Sequence, residues 1–287
     1  MDTKRDSKDK IKQAVKKRYA KAITKAGASC CGKGAVESLP AEKVLCMAGY
    51  QLEELNSIPP EARGNSMGCG NPLAFAEVLP GQTVLDLGSG AGLDCFIAAE
   101  KVGSQGKVYG LDMTPEMISQ AKKNAQEGGF TNVEFLLGEV ENIPLPEASV
   151  DWVISNCVLN LSPDKPKAFS EIARVLRPGG RISISDIVVQ DIPAQLRQNL
   201  DAWSACVGGA ISEEEYVKGL ESAGLKKVKV ASRHVYSPEE MEAILGEEIK
   251  QYGLSAKIAS AGGCCGGPSM DKLAGKIASV RFEGVKK

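Results

Sequence analysis

Apolar residues at Ile11, Val15, Tyr19 and Ile23 recur every four positions among lysines and arginines, which is the pattern of an amphipathic helix with a charged outer face. The lysines of that face read as solvated. Gly27 through Gly34 break the helix around Cys30-Cys31, and a polar, proline-rich stretch from Asn56 to Asn65 leads into Met67-Gly68-Cys69-Gly70-Asn71-Pro72. The pattern then changes. Short apolar runs near 83–87, 107–112, 133–137, 150–155 and 181–186 alternate with helical stretches, which implies a parallel, doubly wound sheet. Thr114-Pro115 reads as a helix N-cap with proline at the first helical position, and Gly128-Gly129 closes that helix. Phe169, Ile172 and Leu176 stripe a helix ending in the turn Arg177-Pro178-Gly179-Gly180. After a further helix at about 213–223, residues 226–235 and 276–285 read as two last strands, with 236–275 between them.

The first core strand carries the chemistry. Val84-Leu85-Asp86-Leu87 ends at an acid and opens into Gly88-Ser89-Gly90-Ala91-Gly92 before a helix begins at Leu93. Glycines there let the backbone turn tightly and approach a ligand, while the N–H groups of the following helix point at it. The next strand ends at Asp112, twenty residues beyond Gly92, where such folds put a carboxylate that accepts from ribose hydroxyls. Dinucleotide enzymes space their glycines as G-x-G-x-x-G for a pyrophosphate. Here the third glycine comes one residue early, and Asp86 would repel a phosphate while favouring an ammonium or sulfonium. Asp-x-Gly-x-Gly-x-Gly resembles the first motif of class I S-adenosylmethionine methyltransferases; the competing reading is a generic doubly wound nucleotide site.

Composition narrows the field. Thirty-five basic against thirty-six acidic residues and a pI near 6.1 give no electrostatic case for nucleic acid or an anionic membrane. Met1-Asp2-Thr3-Lys4-Arg5-Asp6 continues into more charge, so no secretory signal is read, no run approaches a membrane span, and the expected location is cytoplasmic. Nine cysteines are many for such a chain, where disulfides are not expected, and none form C-x-x-C. The one histidine, His234, reads as an ordinary strand residue.

Four methyltransferase motifs in order cover residues 84–186, and the fourth strand ends in Asn156-Cys157-Val158-Leu159-Asn160-Leu161-Ser162-Pro163. With Gly68-Cys69-Gly70-Asn71-Pro72 before the first strand and Cys206-Val207-Gly208-Gly209-Ala210 after the fifth, the chain resembles the arsenite methyltransferase family over roughly residues 45–235. That resemblance implies a class I methyltransferase, Rossmann-like α/β fold. Its doubly wound sheet is mostly parallel with one reversed strand, accompanied by an N-terminal helical cap and a C-terminal inserted segment. The expected divisions are a cap over 1–77 with Cys30-Cys31 and Cys69, a core over 78–235, and 236–287 with the Cys264-Cys265 insertion and the final strand. The cofactor it implies is S-adenosyl-L-methionine. Asp86, Gly88 and Gly90 line its methionine end, Asp112 and Met113 its ribose and adenine, Gly138-Glu139 the adenine amino group, and Asn156 the transferred methyl.

The thiols fit the same resemblance. Trivalent arsenic is soft and prefers thiolates, and its remaining lone pair attacks a sulfonium methyl without a general base. Cys157, Cys206 and Cys69 are therefore the expected catalytic residues and arsenic ligands, with Cys30 and Cys31 as further candidates. Cys95 and Cys46, set among apolar neighbours, read as small buried hydrophobes. Cys264-Cys265 stands between metalloid capture, redox recycling and a glycine-rich loop with incidental thiols. Glu139 and Glu141 stand between site residues and surface charges. The expected partners are a trivalent arsenic substrate and a thioredoxin-like or small-molecule thiol reductant. The alternatives are a methyltransferase for a small quinone-type acceptor and a non-catalytic metalloid-binding protein.

Overall fold

The computed structural model describes residues 3–24, 45–46, 49–64, 70–74, 76–191, 197, 200–204, 206–237 and 275–287. Cys30, Cys31, Cys69, Cys264 and Cys265 lie outside the described residues.

Strands β1 (Thr83–Leu87), β2 (Lys107–Asp112), β3 (Val133–Leu137), β4 (Val150–Asn156), β5 (Leu176–Val189), β6 (Leu225–Val235) and β7 (Ile277–Lys286) form one sheet in the order β3-β2-β1-β4-β5-β7-β6. The first five pair in parallel and β7 runs antiparallel between β5 and β6, as the strand pattern and the resemblance imply. Val84, Leu85, Asp86 and Leu87 are buried on both faces of β1, the mark of a central parallel strand covered by helices on each side.

Helices α1 (Thr3–Thr24), α2 (Leu52–Leu55), α3 (Pro60–Gly64), α4 (Leu93–Val102), α5 (Pro115–Glu127), α6 (Lys165–Val175), α7 (Leu200–Ser204) and α8 (Glu213–Ser222) accompany the sheet. One apolar layer joins α4 and α5 to the sheet through Phe96, Ile97, Ala121 and Phe135. The other joins α6 and α8 through Phe169, Ile172, Tyr216 and Phe282, with the rings of Tyr216 and Phe282 stacked at 4.3 Å. Strand order reverses between β1 and β4. That switch point opens a crevice at the carboxyl ends of the strands, where open α/β sheets bind ligands.

The turn expected at 177–180 is present and forms a bulge at the start of β5: Leu176 pairs with Val150 and Arg181 with Trp152, so the intervening residues loop out of register. The bulge is turned by Gly179 at φ +79°, and Arg177 bonds Asp151 on β4 at 2.9 Å. Contrary to expectation, the lysines of α1 are not all solvated. Lys8 reaches Asp164 at 2.6 Å, Lys12 reaches Glu139 at 2.7 Å and Glu141 at 3.3 Å, and Lys16 reaches Glu139 at 3.5 Å. The Lys8–Asp164 and Lys16–Glu139 pairs are exposed on both partners and contribute on the order of 0.2–1 kcal/mol each. Burial of Val15 against Cys157, Leu161 and Cys206 adds about 1.5–3 kcal/mol. Apolar contact thus seats α1 over the crevice, and the ion pairs orient it.

Candidate functional site

The crevice is a cleft of about 970 Å³, counting its open mouth, between the glycine loop, the ends of β2, β3 and β4, and α1. Gly88 and Ser89 donate their N–H groups to the Leu111 carbonyl at 2.7 and 3.0 Å, which pins the loop against β2. Gly88 has φ +70°, and a Cβ there would lie 2.1 Å from Cγ2 of Val158. Gly90 has φ +52°, yet its Cβ would meet open space. Gly88→Ala is therefore expected to cost roughly 2–6 kcal/mol through backbone strain plus overpacking, against about 1 kcal/mol for Gly90→Ala. Denaturant titration of both variants measures the difference.

Carboxylates ring the loop. Asp112 accepts from Gly90 N–H at 3.0 Å and from Thr114 N–H at 2.8 Å, and burial pushes its carboxyl above the ordinary range. Asp94, in the first turn of α4, also lines the cleft. Burial raises it to about 6, against the pull of hydrogen bonds from Tyr50 and Asn156. Asp86 is buried behind the loop and accepts from Cys95 Sγ at 3.3 Å. Burial pushes both it and the Cys95 thiol up. The one cation lining the cleft among the described residues, Lys12, is committed to Glu139 and Glu141. The site therefore presents negative charge to a ligand, which disfavours a phosphate.

At the end of β4, Asn156 accepts from Gly70 N–H at 3.2 Å and donates to the Gly70 carbonyl and to Tyr50 Oη, the latter at 3.1 Å. Cys157 follows at φ +58°, and Cys206 has φ +63°. The left-handed region costs a non-glycine residue roughly 1–3 kcal/mol and marks functional turns when the surroundings enforce it. Cys206 Sγ donates to the Cys157 carbonyl at 2.9 Å, so the two strained cysteines are adjacent. Behind them lie Lys165, lowered to about 8 by burial, and Asp186, raised to about 7 by burial. Lys165 Nζ donates to the carbonyls of Asn160 and Ser162, and Asp186 accepts from Tyr216 Oη and from Asn160 N–H.

Gly88, Gly90, Asp112, Met113, Gly138, Asn156 and Cys157 thus converge on the cleft. Asp86 and Cys206 lie behind its wall, and Glu139 is at its rim, tied to Lys12 and Lys16. Glu141 lines the cleft and accepts from Ser162 Oγ at 2.6 Å. Sequence reasoning left Asp94, Tyr19, Lys12 and Ser89 unassigned. An acid in the first turn of a helix that follows a glycine loop was the available signal for Asp94. Cys95 is buried as expected, whereas Cys46 is exposed. Cys157 is disulfide-bonded, against the expectation of reduced thiols. His234, on β6, stands edge-on to Tyr236 at 5.2 Å. No helix of the described residues is long and apolar enough to cross a membrane.

A family model for a methyltransferase domain matches residues 79–224. The chain is 39% identical to the arsenite methyltransferase of Halobacterium salinarum over 264 residues, covering 87% of this chain and 66% of that protein. It is 40% identical to the arsenite methyltransferase of Aquipseudomonas alcaligenes over 165 residues, covering 55% of this chain and 47% of that one. The chain thus spans about half to two thirds of the length of these curated relatives. Among solved structures, an arsenic(III) S-adenosylmethionine methyltransferase from Chlamydomonas reinhardtii aligns with a TM-score of 0.60 at 29% identity, covering 86% of this chain and 74% of that one. The sheet and its flanking helices have the class I methyltransferase fold.

Proposed function

The chain belongs to the methyltransferase-domain family, and on that premise we propose that it transfers methyl groups from S-adenosylmethionine to trivalent arsenic held by cysteine thiolates. One observation carries the reading: two adjacent cysteines in left-handed backbone, Cys157 at the end of β4 and Cys206 in the connection between α7 and α8, stand beside a glycine-lined, acid-rich cleft. The arsenite methyltransferases to which the chain is similar support the same substrate.

The cleft fits the cofactor on three counts. Its carboxylates favour a cationic ligand. Gly90 leaves open space where a side chain would otherwise stand. Ser89 Oγ is buried on the cleft wall with no hydrogen-bond partner among the described residues, so a ligand atom would satisfy it. S-adenosylmethionine supplies an electrophilic methyl on sulfur. Asp112, held by the N–H groups of Gly90 and Thr114, has lone pairs left for ribose hydroxyls; Met113 and Gly138 line the adenine end, with Glu139 at the rim. Asp112→Ala is expected to weaken S-adenosylmethionine binding by roughly 1.5–3 kcal/mol and to leave arsenite binding intact, both measured by calorimetry.

Arsenite would exchange its hydroxyls for the thiols of Cys157, Cys206 and Cys69, each exchange releasing water and forming an As–S bond. Gly70, which follows Cys69, is bonded to Asn156, which precedes Cys157, and that link supports a shared site for the two thiols. Cysteine thiolates holding the arsenic with its lone pair free would present it to the methyl that bound S-adenosylmethionine would supply, the sulfur keeping the bonding pair and leaving as S-adenosylhomocysteine, so these residues would have no proton to remove. Orientation does the catalytic work and recovers about 7–11 kcal/mol of barrier. Methylation leaves arsenic pentavalent; two thiols give up two electrons to return it to the trivalent state and become a disulfide. A thioredoxin-like protein or a small thiol would regenerate the pair, and the role in the cell would be arsenic detoxification.

Mass spectrometry of products from arsenite, S-adenosylmethionine and a thiol reductant tests the reading. Methylated arsenicals are the expected result. Transfer to quinol or phenol acceptors in place of arsenite would assign the chain to organic substrates, and arsenite binding without cofactor binding would make it a sequestering protein.

A further inference from the structure

We propose that Asp94, and not Asp86, receives the α-ammonium of the cofactor's methionine end. The proposal rests on the reading of the cleft as an S-adenosylmethionine site and assigns one contact within it. Sequence points to Asp86, the acid before the glycine loop. In the fold that side chain is 2% exposed, does not line the cleft, and spends Oδ2 on the Cys95 thiol at 3.3 Å. A ligand in the cleft meets the loop backbone before it meets this carboxylate.

Asp94 is differently disposed. It lines the cleft and is 8% exposed. Oδ1 accepts a good hydrogen bond from Tyr50 Oη at 2.8 Å, but the nearest donor to Oδ2 among the described residues is Asn156 Nδ2 at 3.4 Å. That is longer than an ordinary N–H···O contact of about 2.7–3.2 Å. A buried carboxylate with one oxygen so poorly served pays a desolvation cost that a charged donor would offset. No lysine or arginine of the described residues bonds Asp94, and Lys12 is held by Glu139 and Glu141. An ammonium brings three donors and a full positive charge. The N-terminus of α4 holds the receiving carboxylate in place, since an acid is favoured in a first helical turn.

The arrangement has a consequence for aim. Asn156 touches Tyr50, Asp94 and Gly70 and directly precedes Cys157. Anchoring the ammonium at Asp94 would fix the methionine end against the same side chain that ties the two cysteine-bearing segments together.

The test measures dissociation constants by calorimetry for three probes: S-adenosylhomocysteine, its analogue with hydrogen in place of the ammonium, and 5′-methylthioadenosine, which lacks the amino-acid end. For Asp94→Asn the expected result is an S-adenosylhomocysteine affinity about 10- to 100-fold weaker, the range for a lost charged hydrogen bond. The other two probes should bind the variant as they bind the unmodified protein. Unchanged binding of those probes also reports that the variant is folded. Asp86→Asn should preserve the preference for the ammonium-bearing probe over its deaminated analogue. Equal weakening of all three probes by Asp94→Asn would overturn the assignment in favour of a structural role, as would loss of the preference in Asp86→Asn alone. Failure of the unmodified protein to bind S-adenosylhomocysteine at all would overturn the cofactor reading, and this contact with it.

Discussion

Cys157→Ser and Cys206→Ser are each expected to abolish methylation of both arsenite and its monomethylated trivalent product while leaving S-adenosylmethionine binding intact. Serine keeps nearly the same volume and hydrogen-bonding reach, so packing among Val15, Leu161, Val207 and Ala210 is little disturbed. What changes is the ligand. Soft trivalent arsenic holds sulfur far better than a hard hydroxyl oxygen, and without two thiolates the monomethylated substrate cannot be seated. A loss beyond about 100-fold in turnover corresponds to roughly 2.7 kcal/mol of transition-state stabilisation. The two residues start from different places: Cys157 faces the cleft and is oxidised, whereas Cys206 stands behind it with its thiol on the Cys157 carbonyl. For Cys206 to bind arsenic that contact must open. Appreciable turnover by the Cys206 variant would show that the hydrogen bond is its role and that it packs rather than ligates. Assays with excess thiol keep Cys157 reduced and separate failed binding from failed regeneration.

The other large effect is selective. Arsenite has three exchangeable hydroxyls and its monomethylated product two, so a third thiolate matters for the first methylation and has nothing to hold in the second. Cys69→Ser is expected to depress methylation of arsenite by a factor comparable to the Cys157 change, and methylation of the monomethylated species far less. Single-turnover measurements on each substrate, with excess external thiol, give the ratio. Cys31→Ser would share the pattern if the N-terminal pair exchanges with Cys69 in the redox step. Equal losses on both substrates would remove Cys69 from the ligand set and leave it a structural or purely redox part. The bond between Gly70 and Asn156 makes the result sensitive to Asn156 as well, because losing that side chain would release the segment that Cys69 precedes.

Much of the framework was legible in the chain. Alternating apolar strands and helical stretches, the glycine loop after Asp86 and the acid at position 112 gave the sheet, its crevice and one wall of the cleft, and all of these are signals carried within a few residues of one another. The position of Cys157 at a strand end followed from the same pattern. Which acids face the ligand did not. Asp86 and Glu139 are the residues that spacing selects, yet Asp86 is turned to the thiol of Cys95 on α4, and Glu139 is drawn to Lys12, 127 residues away. In their stead Asp94 and Glu141 line the cleft.

The sequence by itself, through its pattern and its family resemblance, therefore determined the fold, the glycine cradle, the place of Asp112 and the candidacy of the cysteines. Only the tertiary structure decided that α1 closes the cleft, that Cys46 is exposed while Cys206 is buried behind Cys157, and that Asp94 and Glu141 are the acids at the surface of the site. The physical reason is one of range. Backbone periodicity and turn chemistry are set by near neighbours, whereas the direction and charge environment of a side chain at a strand end are set by partners that only folding brings within hydrogen-bonding distance.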